Sequence, residues 1–190
     1  MSSRKIIQLI TLIALLIGIA WFIHKPDFEP ALTSLLIAAT LVGLIVEEKF
    51  STIREVDKKL FEDLKQTLPS NGSIAVIDQH NMAGWSFQWS QLDDLDNFAH
   101  NWGDAEHEFL TKKLEAKRKL LHQKVRDYLM LLAKETFPRS NPGFSSVPEE
   151  WEIEQPERFE RVVEQLHEQA GEIVELHQDL FRAARKTLKC

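Results

Sequence analysis

Side chains able to do chemistry gather most densely between residues 80 and 108, which hold His80, Asn81, Trp85, Trp89, His100, Asn101, Trp102, Asp104, Glu106, His107 and Glu108. Aromatic anchors among hydrogen-bonding groups are the composition of a docking surface. Trp85, Trp89, His100 and Trp102, with Trp151 from a later acidic turn, are therefore the expected partner-binding residues. The competing reading has the tryptophans plugging the end of a helical bundle.

Catalytic and metal templates fit less well. A di-iron bundle needs two Glu-x-x-His motifs on separate helices and two further glutamates. Glu164-x-x-His167 fits this template, and Asp104-x-x-His107 only resembles it. No Gly-rich phosphate loop, nucleophile elbow or zinc-protease helix motif occurs. Asp93 and Asp94, like Glu149 and Glu150, are sequence neighbours that point apart on a helix and cannot form a matched acid and base. The expectation is a protein that is not an enzyme and has neither cofactor nor metal. An enzyme working through residues 80–107 is the least supported class.

The element that must position these residues is the first quarter of the chain. Residues 6–23 are interrupted only by Gln8 and Thr11, and residues 31–46 only by Thr33, Ser34 and Thr40, with no charge in either run. A bilayer core takes about 17–25 apolar helical residues, and the slightly short second run can be accommodated by local thinning. Pro26 and Pro30 interrupt the helices between them. Residues 1–46 thus read as a transmembrane helical hairpin and residues 47–190 as an acidic helical cytoplasmic domain. Two other readings compete, a cleaved secretory signal and a buried soluble hairpin. The first fits poorly because Trp21, Phe22 and Ile23 prolong the apolar run, the second because the remaining chain is small.

Arg4 and Lys5 precede the first run, and Lys49, Arg54, Lys58, Lys59 and Lys65 follow the second, with only Lys25 between. By the positive-inside rule both ends are cytoplasmic, which places the protein in the inner membrane as a multi-pass protein. Ala14 and Gly18, and Ala39 and Gly43, put small residues four apart on each run, suited to close packing of the two spans or to a homo-oligomer.

Without Arg4, Lys5, Lys25, Asp27 and Glu29, the 23 basic and 29 acidic residues become 20 and 27 in residues 47–190, a formal charge of −7. Such a domain is a poor binder of nucleic acid. The single cysteine, Cys190, forms no disulfide framework.

The domain is expected to be mainly α, with three long helices, one short helix and a minor β-hairpin. Phe50, Ile53, Val56, Leu60, Leu64 and Leu68 continue the second span as a stalk helix. The run at 73–77 and the segment 85–89 form the hairpin, with Gly84 in its turn. A capping box at Ser90 to Asp93 starts a helix over 91–102, and Asp104 caps the next. Leu110, Leu114, Leu121, Val125, Tyr128 and Leu132 stripe a helix over 105–137. Phe159, Val163, Leu166, Ala170, Ile173, Leu180 and Ala184 stripe a last helix over 157–188, with His177 on the same face. Lys112, Lys113, Lys117, Arg118, Lys119, Lys124 and Arg126 form a basic run that faces either Glu160, Glu164, Glu168, Glu172 and Glu175 of the last helix, or anionic headgroups or an acidic partner.

The function this suggests is tethering: a membrane anchor confines the helical domain and raises its effective concentration for a protein partner. The alternative is an oligomeric two-span effector, similar in architecture to some bacterial defence systems, whose sensor domain drives membrane disturbance.

Overall fold

The computed structural model describes residues 3–24, 28–79 and 86–189, with side chains at 11–20, 23, 36–45, 47–79 and 86–189. The chain is mainly helical and divides into two compact units, Met1–Glu55 and Val56–Cys190. The division falls a little after the expected boundary at residue 46.

The first unit holds α1 (Ser3–His24) and the first part of α2 (Phe28–Thr67), which runs through the unit boundary as one helix. Leu12, Ile13, Leu16, Ile17, Ile19, Ile23, Leu36, Val42 and Ile45 are all more than two-fifths exposed. Among the described residues, no helix is long and apolar enough to cross a membrane. Positions 25–27 of the expected turn lie outside the described residues.

The second unit is built on the remainder of α2, α5 (Lys112–Glu135) and α7 (Pro156–Leu188). On α2 the buried apolar stripe begins at Leu60 and runs through Phe61 and Leu64, with Leu68 buried just past the helix end, whereas Phe50 and Val56 are exposed. On α5, Leu114, Leu121, Val125, Tyr128 and Leu132 are buried as expected, but Leu110 precedes the helix and is 53% exposed. Lys117 pairs with Asp179 and Lys124 with Glu172, so a step of seven residues along α5 matches an equal step back along α7. The two helices are therefore antiparallel. The ring of Phe61 meets Phe181 at 5.2 Å, and His177 Nε2 donates to the Leu68 carbonyl at 3.0 Å, so α2 also runs antiparallel to α7.

Several local expectations are corrected. Residues 73–77 are not a strand but lie in α3 (Ser73–Gln79). The Ser73 amide donates to Asp94 Oδ2 at 3.0 Å, and the Asp94 amide donates to Ser73 Oγ at 3.2 Å. This reciprocal pair starts the turn, and Ile74 and Ile77 then bury at helical spacing. A Cβ at Gly72 would collide with Asp94, so the close approach needs glycine.

The expected β-hairpin is replaced by a three-stranded antiparallel sheet of order β1-β3-β2, comprising β1 (Phe87–Gln88), β2 (Phe137–Pro138) and β3 (Phe144–Ser146). Phe87 pairs with Ser145, and Phe137 with Ser146. The central strand lies in a stretch rich in Ser, Pro and Gly, and is reached through a turn where Gly143 adopts φ +84°.

The expected capping box at Ser90 is displaced. The Gln88 amide instead donates to Gln91 Oε1 at 2.9 Å around a single 3-10 turn, Trp89–Leu92, and α4 (Asp93–Asn101) follows. Asp104 does cap what comes next, but that is the short 3-10 turn Ala105–His107, and α5 begins only at Lys112. A short α6 (Trp151–Glu154) precedes α7.

His177 is buried in the core, and desolvation holds its pKa below the ordinary 6.5 despite the opposing bond to Leu68. The unfolded chain therefore binds a proton on His177 at a higher pH than the folded chain does. Stability is complete above about pH 6.5 and falls as the solution is acidified through and below it. Thermal unfolding followed by circular dichroism should show this decline, and His177→Gln should flatten it.

Candidate functional site

The segment from Trp102 to Thr111 carries little regular structure, yet it is fixed at several points. Asp57 on α2 is fully buried, and its carboxylate accepts from the Leu110 amide at 2.7 Å and the Thr111 amide at 3.0 Å. Glu115 accepts from the Phe109 amide at 2.9 Å and from Arg118 Nη2 at 2.6 Å. The buried Arg118 guanidinium also donates to the Trp102 carbonyl. Burial alone would raise the Glu115 carboxyl, but the bonds from Arg118, the Phe109 amide and Lys119 together hold it below its ordinary range.

Against this frame the expected docking residues separate. Trp102 is 1% exposed and caps the end of α4, packed against Phe98 and His107 at ring distances of 5.7 and 4.7 Å. Its ring cannot reach a partner, because the loop bolted down by Arg118 closes over it. Trp151 is also buried, stacked under the Arg158 guanidinium at 3.6 Å and edge-on to Phe137. Both are core residues, as the bundle-plug reading requires. Trp89 stays 41% exposed beside Phe87. Trp85, with His80 and Asn81, lies outside the described residues.

His100 remains on the surface, its Nδ1 2.9 Å from the Asp96 carbonyl, and it lines a groove between α4 and α5. The groove has a volume of about 500 Å³. Ala99, Leu129, Met130 and Ala133 form its apolar floor, with Asp96, His100, His122 and Arg126 as the polar surround. Met130 is 67% exposed, a large apolar side chain without cover. His122 Nε2 lies 3.0 Å from the Ala99 carbonyl, which can only accept, so this nitrogen carries the proton. Desolvation lowers the His122 pKa, opposed by that bond and assisted by Arg118 and Arg126. The imidazole is thus a neutral, oriented wall of the groove.

The pattern reading did not single out His122 or Met130. His122 belongs to a second stripe on α5, in which His122, Arg126, Leu129 and Ala133 recur at helical spacing beside the main one, and Met130 adjoins it. Among the described residues, no group of three or more His, Cys, Asp or Glu is placed to hold a metal ion. The groove's mixture of apolar floor and polar surround suits recognition. No protein-family model matches the chain, and no curated protein or solved structure does so either.

Trp102→Ala should cost about 3–5 kcal/mol of stability, as for other large aromatic deletions in cores, while Trp89→Ala should cost under about 1 kcal/mol. Thermal unfolding of the two variants checks the assignment; equal losses would place Trp102 outside the core.

Proposed function

We propose that the chain is a membrane-anchored, non-enzymatic tether, inserted by residues 6–23 and 31–46 with both termini cytoplasmic, whose helical unit docks a protein partner in the α4–α5 groove. The observation that carries the anchor is the pair of uncharged apolar runs on α1 and α2. The apolar side chains of the first unit, from Leu12 at 43% to Ile23 at 78% exposed, add to it, because water-exposed apolar surface on this scale needs a cover. The groove is supported as the docking site by the exposed Met130 over an apolar floor, framed by His100 and Arg126.

A second reading, the oligomeric two-span effector, draws on Gly43, around which an added Cβ would meet nothing within 4 Å. Small residues with an open face let another helix approach closely.

Full-length protein carrying Met130→Glu should stay in the membrane fraction after alkaline washing and lose at least about tenfold in partner recovery on cross-linking, the effect of about 1.4 kcal/mol at a hot spot. Undiminished recovery by the folded variant would remove the groove as the docking site. Recovery of the chain cross-linked only to itself would shift the reading to the effector.

A further inference from the structure

Charge in the second unit is segregated along the helix axes, although its sum is acidic. Asp57 on α2 binds the amides just before α5, and α7 runs antiparallel to both helices. The entry of α2 into the unit, the start of α5 and the end of α7 therefore share one end. That end carries Lys112 and Lys113 on α5, Arg182, Arg185 and Lys186 on α7 and Lys189 at the α7 C-cap, all exposed. No acidic residue occurs from position 180 to 189. None of these six cations forms an ion pair among the described residues, whereas three acids close to them are engaged, Asp57 by amides, Glu115 by Arg118 and Asp179 by Lys117. The field of these cations is felt locally. The Asp179 carboxyl is held below its ordinary range, first by its bond to Lys117 and further by Lys117, Arg182 and Lys113 through space.

Helix stability does not account for the whole cluster. Basic residues in the last turn of α7 complement the helix dipole, but Lys112 and Lys113 sit in the first turn of α5, where the dipole disfavours cations. A solvent-exposed leucine, Leu110, adjoins them.

We propose that this basic end docks on anionic phospholipid headgroups of the membrane that holds the hairpin. The proposal rests on the membrane reading above, and chain connectivity supplies the reach. Nine residues lie between Val46 and Val56, where the chain enters the unit, so Val56 can lie no farther than about 33–36 Å from Val46. Tethering at that distance makes a weak electrostatic patch effective. A group of acids around the start of α7, Glu152, Glu154, Glu157 and Glu160, lies at the opposite end of the unit.

The test uses the full chain reconstituted into liposomes, with its single cysteine, Cys190, carrying a fluorescent donor and the lipid surface an acceptor. Energy transfer should be stronger in phosphatidylcholine vesicles containing phosphatidylglycerol than in pure phosphatidylcholine, and should fall with added salt. Lys112→Gln with Lys113→Gln should lower the docked-to-undocked ratio roughly thirty-fold, about fivefold per charge removed. Arg185→Gln with Lys186→Gln provides an independent pair from the other helix with the same expected loss. If the protein floats with both vesicle types but transfer is equal in the two, the inference is overturned, the membrane reading stands, and the cations are left for an acidic protein. If the protein fails to float with either, the membrane reading fails and this inference with it.

Discussion

A buried guanidinium is the constraint on which the second unit turns. Moving an ion out of water costs several kcal/mol unless close partners compensate it, and Arg118 has two, the Glu115 carboxylate and the Trp102 carbonyl. Glu115 in turn holds the Phe109 amide, and Asp57 on α2 holds the two amides that follow. The segment from 102 to 111 makes few regular backbone bonds, so these side chains supply what a helix or sheet would otherwise provide. Loss of Glu115 would leave the buried Arg118 charge without its carboxylate, and loss of Asp57 would leave two amides at the start of α5 without their acceptor, so these bonds couple α2, α4 and α5.

Both surfaces of interest follow from that arrangement. Trp102 is held under the loop, which brings Gly103 against His122, where an added Cβ would lie 3.2 Å from the ring. This closeness sets the wall of the α4–α5 groove. Asp57 pins the start of α5 to the entry of α2, and that junction brings Lys112 and Lys113 level with the basic end of α7. On the proposed reading, one network thus presents a recognition groove along its flank and a cationic end toward the anchor.

The long elements were legible because periodicity is a local property. The stripes of α5 and α7 repeat over many turns, and His177 was readable as a core histidine from its place on one of them. The run at 73–77 misled because a short β-branched run has no period long enough to separate strand from helix. Its state is decided by Asp94, twenty-one residues away. The central strand at 144–146 was hidden in a Ser- and Pro-rich stretch whose pairing partners are distant. Arg118 belongs by sequence to the basic run, yet its position four residues after Leu114 and three before Leu121 puts a charge on the apolar stripe. The residue type of Trp102 suits a docking anchor, whereas tertiary closure by the 102–111 segment puts it in the core. The expected pairing of the basic run with α7 holds at Lys124 and Glu172, while Lys117 takes Asp179 and Lys119 takes Glu108.

The central claim is that residues 6–46 anchor the chain with its helical unit in the cytoplasm. The most direct measurement is labelling of Cys190 by a membrane-impermeant maleimide in intact spheroplasts and in inverted membrane vesicles, with the membranes washed at alkaline pH beforehand in the second case. The account predicts that the protein remains in the washed membranes and is labelled in the inverted vesicles alone. Release of the protein by the wash, or labelling in intact spheroplasts, would contradict it.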